Sequence, residues 1–348
     1  MLNFYKPVVK GVGPLHSKLL LIGEAPGEQE EMAGVPFIGY SGQELDRMLA
    51  EAGLSRQDCY LTNVLFSRPP YNKLAAFLVP KAEAMTSGPL AIPLGQGTYL
   101  HPSLALEVER LHGEIQRVRP NLIVCLGNTA CWAILGKTKI SALRGAICES
   151  PHGKVLPTYH PAAVVRDWSL RPIVVGDFIK AAYECTFAEV RRSQRSLIIL
   201  PTLDEIQEFY LRARDAEYMA CDIETVRGQI SSIGFAISKG DALSIPIFDP
   251  RSDSRSYWPS LEEEIRAWAF IQAILSVKAK KIFQNGLFDL QYLAKYKLRI
   301  VNISDDTMLL HHALYPELPK GLGFLGAAYT NEAPWKLMRK GEGYKKDE

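Results

Sequence analysis

Apolar residues recur in two periods along the first half of the chain. Leu19 to Ile22 is a run of four apolar residues, short enough for a buried strand, and it stops at Gly23. A Gly/Pro loop follows, Gly23-Glu24-Ala25-Pro26-Gly27, and then the carboxylates Glu28, Glu30 and Glu31. Leu45, Met48, Leu49 and Ala52 have helical spacing, and Gly53 is a natural stop. Cys59 to Val64 and Leu122 to Leu126 predict two more buried strands, and Val155 to Tyr159 a further one that delivers His160-Pro161. Helical spacing predicts helices over Pro102 to Val118, from Asn128 through Leu135, and over Pro172 to Val190. Strands alternating with helices mean a parallel sheet covered on both faces, and such sheets bind ligands in loops at the carboxyl ends of strands. Glycines in the first loop let backbone N–H groups approach a bound group closely. Residues 67–101 are rich in Pro and Gly and weakly periodic, which leaves a DNA-facing insertion and a disordered surface loop equally open.

The pattern changes near residue 191. Arg191-Arg192-Ser193-Gln194-Arg195-Ser196 is a polar, basic interruption, and it predicts two domains, residues 1–190 and 197–348. Beyond it, Leu203 to Leu211 is a short amphipathic helix. Tyr218 to Thr225 reads as a strand in which period two places Asp222 and Glu224 on one face. Ile230 to Ile237 and Ala242 to Phe248 continue as antiparallel strands, Leu261 to Leu275 as a helix, Lys281 to Phe283 as a strand, and Asn285 to Leu290 opens a helix that carries Asp289.

Composition narrows this picture only a little. The chain has 348 residues, long for one core, which agrees with two domains. A net charge of +2 neither demands nor excludes a nucleic-acid partner, so any DNA contact must come from local clusters. Three clusters stand out: Arg191-Arg192 with Arg195, Lys278 with Lys280-Lys281, and Lys336 to Lys346. Solvated surface charge is the plainer account of each. The six cysteines form no CxxC pair and several lie in apolar runs, so a reducing compartment is expected, without a disulfide framework. No apolar run approaches a membrane span and the N-terminus does not resemble a signal peptide, so a cytoplasmic location is expected.

GEAPGEQEE, PFIGYSG, Leu61-Thr62-Asn63-Val64 and His160-Pro161-Ala162 occur in the order of the motifs of the uracil-DNA glycosylase superfamily, and over about residues 15–185 the chain resembles its family 4. The resemblance implies excision of uracil from DNA after rotation of the nucleotide out of the helix. Gly23 and Ala25 belong to the implied substrate loop. Phe37 is implied to stack on the base and Asn63 to read its edge, for which an amide offers both a donor and an acceptor. His160 is implied to donate to the uracil O2 as charge develops there. Glu24, or second Glu30, is implied to favour the oxocarbenium-like sugar and orient water. Arg144 lies in a loop resembling the segment near the DNA backbone in relatives. Ala25 stands where other families place an Asp or Asn that handles water, a feature shared with family 4. Family 4 also carries an iron–sulfur cluster on four cysteines. Here Ser67 stands at one ligand position and His101 near another, so no iron–sulfur cluster is expected.

Asp222-x-Glu224, Asn285-x-x-x-Asp289 and Asp306-Thr307-Met308 resemble the proofreading 3′–5′ exonuclease domain of family A DNA polymerases, a ribonuclease H-like mixed-sheet fold. The resemblance implies that Asp222, Glu224 and Asp289 hold Mg²⁺ or Mn²⁺, hard cations suited to oxygen ligands. Asp306 is expected to be structural. The third motif of that family, YxxxD, is missing; Tyr344 and Glu348 only mimic its spacing. The domain is therefore expected to be incomplete. Together the two halves resemble the N-terminal part of a phage family A DNA polymerase, with a separate polymerase polypeptide as an implied partner. The competing reading is a module that recognises uracil or template DNA without cutting it.

Overall fold

In the computed structural model the described residues are 8–85, 88–95, 97–192 and 194–332. The basic stretch Lys336 to Lys346, Tyr344 and Glu348 lie outside them. Contacts divide the chain into two units, residues 192–322 forming the second.

The first unit is built on a five-stranded sheet of β1 (Leu19–Gly23), β2 (Cys59–Asn63), β5 (Leu122–Leu126), β6 (Cys148–Ser150) and β7 (Gly153–Thr158), in the order β2-β1-β5-β7-β6. All neighbours are parallel except the β6–β7 hairpin at one edge. Every residue of β1, β2 and β5 is buried, as expected for strands covered on both faces. Alternate residues enter two cores: Leu20, Ile22, Ile123 and Val155 on one face, Leu19, Leu21, Val124 and Leu156 on the other. The helices are α1 (Glu28–Ala33), α2 (Tyr40–Glu51), α3 (Lys81–Ala84), α4 (Ala105–Val118), α5 (Asn128–Leu135), α6 (Ile140–Leu143), α7 (Pro161–Arg166) and α8 (Arg171–Glu184). The last closes earlier than its apolar pattern suggested. Register brings Gly23 beside Asn63 and Leu126 beside Thr158, so the loops after β1, β2, β5 and β7 emerge at one end of the sheet.

The 67–101 stretch is a packed element. It carries a short ribbon of β3 (Leu78–Pro80) and β4 (Thr98–Leu100), and Phe77, Leu90, Leu94 and Leu100 enter the first core. The Trp132 indole N–H donates to the Ile92 carbonyl at 2.8 Å and ties the stretch to α5. Few apolar residues separated by turns suffice here because a neighbouring core completes them.

The second unit is a mixed six-stranded sheet in the order β13-β12-β9-β10-β11-β8. Its strands are β8 (Ser196–Ile198), β9 (Tyr218–Val226), β10 (Gln229–Ala236), β11 (Asp241–Pro246), β12 (Lys280–Phe283) and β13 (Ile303–Asp306). β9, β10 and β11 are antiparallel, while β12 and β13 continue from β9 in parallel. Its helices are α9 (Leu203–Ala213), α10 (Leu261–Leu275), α11 (Leu287–Lys295) and α12 (Thr307–Leu314). Met219, Cys221 and Ile223 of β9 point into the core, leaving Asp222 and Glu224 on the exposed face.

Two expectations meet a different arrangement. The second domain is expected to run from 197 to 348, whereas contacts group residues 323–332, most of α13 (Leu322–Tyr329) among them, with the first unit. The Lys180 ammonium donates to the carbonyls of Gly145 (2.7 Å), Ala327 (2.9 Å) and Thr330 (2.5 Å), and Asn331 donates to Glu184 at 2.7 Å. Lys281 is also no part of a surface basic patch. It is fully buried, its ammonium donating to the Val277 and Ala279 carbonyls.

Candidate active site

The loops at the carboxyl ends of β1, β2, β5 and β7 surround a cavity of about 460 Å³. Glu24, Ala25, Gly27, Phe37, Asn63, Gly127, Tyr159 and His160 line it, together with Pro69 and Asn72 from the long stretch and Arg166 from α7. The sequence-predicted Glu24, Glu30, Ala25, Phe37, Asn63 and His160 therefore meet at one place. Gly23 lies against two of them. A Cβ on Gly23 would lie 2.3 Å from Asn63 Oδ1 and 2.5 Å from the Phe37 ring, so only glycine lets the amide and the ring converge there.

Phe37 sits in the left-handed backbone region at φ 56°, an uncommon conformation for a bulky residue that the surroundings must enforce. They do so from two sides. Arg56 donates to the Phe37 carbonyl at 2.8 Å and to the Pro36 carbonyl at 2.7 Å. Gly42 lies so close that a Cβ there would be 2.0 Å from the Phe37 carbonyl oxygen. The ring is buried, with its centroid 6.0 Å from the His160 imidazole and the planes 30° apart.

Glu30 has a different task from the one expected. Its carboxylate accepts the N–H of Gly27 (3.0 Å), Ile38 (3.0 Å) and Gly39 (2.7 Å). A buried carboxylate holding three backbone donors clasps the loop at both ends and has little capacity left to orient water. Glu24 is the better placed acid: Thr129 at the start of α5 donates to its Oε2 at 2.5 Å.

His160 caps α7. Its Nδ1 accepts the Ala162 N–H at 3.1 Å, which sets the tautomer and leaves the proton on Nε2. Burial, reinforced by Arg166 and opposed by Glu30, lowers the imidazole to about 4. The ring is thus neutral at ordinary pH and a donor through Nε2.

Arg144 must leave the substrate set. It is buried outside the cavity, its guanidinium paired with Asp177, which also accepts from Thr158 at 2.6 Å, and it lies 4.8 Å from the Phe324 ring centroid. A side chain so enclosed cannot reach a phosphate. Ser67 and His101 lie in ordinary polar contacts, Ser67 donating to Glu107 at 2.9 Å and His101 Nδ1 lying 2.6 Å from the Ser103 hydroxyl. Sequence reasoning missed Arg56, Thr129 and Arg166. None belongs to a motif, and each reaches the site through folding alone.

In the second unit Asp289 is buried, its Oδ1 accepting the Ile223 N–H at 2.9 Å. Burial first, then Asp222 and Asp306, raise its carboxyl to about 6. Asp306 accepts N–H bonds from Asn285 and Gly286 and caps α12 at Met308 and Leu309, a structural role. Among the described residues no three His, Cys, Asp or Glu side chains converge as a metal-binding group. Asp222 and Glu224 sit on the exposed face of β9, and Asp289 reaches the amide of Ile223, the residue between them.

Residues 10–183 match the family model for the uracil DNA glycosylase superfamily, and residues 197–345 match the model for a 3′–5′ exonuclease. A type-4 uracil-DNA glycosylase of Archaeoglobus fulgidus is 37% identical over 186 residues, 51% of this chain and 81% of that protein. One from Thermotoga maritima is 35% identical over 179 residues, 50% of this chain and 81% of that protein. A DNA polymerase of Bacillus phage SP01 is 21% identical over 342 residues, 89% of this chain but 34% of that protein, so the chain spans about a third of that polymerase.

Proposed function

The chain belongs to the uracil DNA glycosylase superfamily over residues 10–183, and from that premise we propose that the first unit excises uracil from DNA by hydrolysing the N-glycosidic bond. The observation that carries this reading is His160, a neutral imidazole with its Nδ1 occupied and its Nε2–H available, on the cavity that Phe37, Asn63 and Glu24 share. An extruded uracil stacks on Phe37 and pairs its edge with the Asn63 amide. As the bond between C1′ and N1 breaks, its electron pair passes into the uracil ring and is shared by O2. The Nε2–H of His160 stabilises that oxyanion without having to carry a charge itself. Glu24, steadied by Thr129, supports the cationic sugar and orients the water that adds to C1′.

The second unit has an exonuclease-type fold, and we propose that it serves a polymerase in the setting of a phage replication protein, with DNA as the shared substrate. Divalent ions such as Mg²⁺ are the general requirement of such domains, and Asp222, Glu224 and Asp289 are the oxygen ligands that would hold one. Degradation from 3′ ends should then require added Mg²⁺ or Mn²⁺ and be lost in Asp222→Ala. A separate polymerase polypeptide is a partner that co-purification would reveal. No helix among the described residues is long and apolar enough to cross a membrane.

A second reading, recognition without excision, draws on Ala25, which packs against the core and brings no polar group to handle water. The deciding experiment measures uracil release from a labelled oligonucleotide without metal. Wild type should leave abasic sites, and His160→Ala and Asn63→Ala should each lose roughly a hundredfold or more in rate. Retained binding of uracil-DNA with no release by wild type would overturn the catalytic reading in favour of recognition.

A further inference from the structure

Three large aromatic side chains left in water stand beside cavity-lining residues in the chain. Tyr183 on α8 and Tyr329 on α13 are also exposed, but Tyr71 (90% exposed), Tyr40 (68%) and Trp168 (62%) are set apart by their place in the chain. Each lies within two residues of a cavity-lining residue, Asn72, Ser41 and Arg166 respectively. Exposed apolar groups concentrated at one place mark a contact surface, whereas scattered ones do not.

Two of these rings are built for presentation. Tyr71 and Asn72 are consecutive non-glycine residues in the left-handed region, at φ 55° and 56°. They follow Pro69-Pro70, the Asn72 N–H donates to the Pro69 carbonyl at 3.0 Å, and Arg68 donates to Asn72 Oδ1 at 2.7 Å. A strained turn pinned in this way holds the Tyr71 ring outward before any ligand arrives and lowers the ordering cost of binding. Trp168 is oriented by Arg171, whose guanidinium carbon lies 5.2 Å from the ring centroid. One ring face is thereby covered and the other left open.

Their placement follows from topology. Tyr71 comes from the loop after β2 and Trp168 from the segment after β7, with β1 and β5 between those strands. Three strand spacings separate the two origins by roughly 14 Å. That is several times the ~3.4 Å rise between stacked nucleotides on one strand, which suits rings that serve two different bases. Arg166 adds an exposed cation at the cavity wall, suited to the phosphate of an inserted nucleotide.

We propose that Tyr71 and Trp168 are stacking platforms for the bases on either side of an extruded uracil, and that the site is built for single-stranded DNA. Extrusion from a duplex uncovers only the two base faces that look into the gap, where a single wedge fits. Two outward rings set apart from one another instead suit the faces of unpaired flanking bases, and stacking of this kind is tolerant of sequence. The inference rests on the cavity being the uracil site.

The test uses the full chain, metal-free, and a closed circular single-stranded oligonucleotide with one uracil, which offers no 3′ end to the second unit. A nicked duplex of the same sequence serves for comparison. Tyr71→Ala and Trp168→Ala should each raise KM on the circle roughly tenfold, with a smaller change in kcat and little change on the duplex, and Tyr71→Phe should restore the wild-type value. Unchanged KM in both alanine variants would overturn the proposal. Equal losses on circle and duplex would also overturn it, in favour of a wedge acting on paired DNA. If wild type releases no uracil, binding of the circle is measured instead. Weaker binding by both variants would then support the platforms although excision had failed, and unaltered binding would remove them as well.

Discussion

His160 combines two features at the scale of a single residue: a backbone amide fixes its tautomer, and burial keeps it neutral. Uracil release should therefore show no loss attributable to His160 between pH 8 and about 5. Stability should behave differently. The unfolded imidazole takes up a proton below its ordinary value of 6.5, whereas the folded one does so only near 4. The unfolded state thus binds more protons within that window, so stability declines as pH falls through it and levels off below. Urea unfolding at pH 7 and pH 4.5 should show a smaller difference in His160→Gln than in wild type. Arg56 offers a second residue-scale test, since its two hydrogen bonds hold the Phe37 backbone in an unfavourable conformation. Arg56→Ala should cost about 1.5–3 kcal/mol of stability, the range for a hydrogen bond from a charged group. It should also raise KM for uracil-DNA, because the ring is no longer held in place; steady-state kinetics beside denaturant melts would reveal an unaltered KM.

At the scale of elements, the site exists because four parallel strands end together and one of them ends in glycine. Gly23→Ala places a methyl group where Asn63 Oδ1 and the Phe37 ring now stand. The expected result is loss of uracil release by two orders of magnitude or more with circular dichroism unchanged, because the strand tolerates alanine and the pocket does not. The long stretch between β2 and α4 can be probed through Leu100, which is fully buried in the first core. Leu100→Ala should destabilise the protein by about 2–5 kcal/mol, as for other buried large-to-small changes. A negligible effect in chemical denaturation would mean that the stretch does not pack as described.

At the scale of the whole molecule, residues 323–332 follow the second unit in sequence but are packed with the first. Leu325 is buried there, and Leu325→Ala should lower protection of the first sheet against hydrogen exchange by about 2–5 kcal/mol. Strands β9 and β10 should be much less affected; equal loss in both sheets would contradict the assignment. The basic and apolar patterns around residue 191 marked a boundary, yet nothing in them announced that the chain returns. An apolar helix such as Leu322–Tyr329 shows only that it must be covered, and its partner is decided by which surface offers the Lys180 ammonium to its carbonyls and the Glu184 carboxylate to Asn331.

What the sequence determined by itself was local. Runs of four or five apolar residues ending in glycine or asparagine read as buried strands, and alternation placed Asp222 and Glu224 on one strand face. Motif order was enough to bring Glu24, Phe37, Asn63 and His160 to the same sheet end, because parallel strands expose their carboxyl ends together. What the tertiary structure decided was the use of each charged group. Glu24 and Glu30 share one loop and one chemistry, but only burial against three backbone amides makes Glu30 a clasp. Arg144 lies in a basic loop by sequence and in a buried ion pair by structure, because Asp177 approaches it from a helix 33 residues away. A charge acquires its role from partners and from exclusion of water, and both depend on contacts between residues that sequence proximity does not encode.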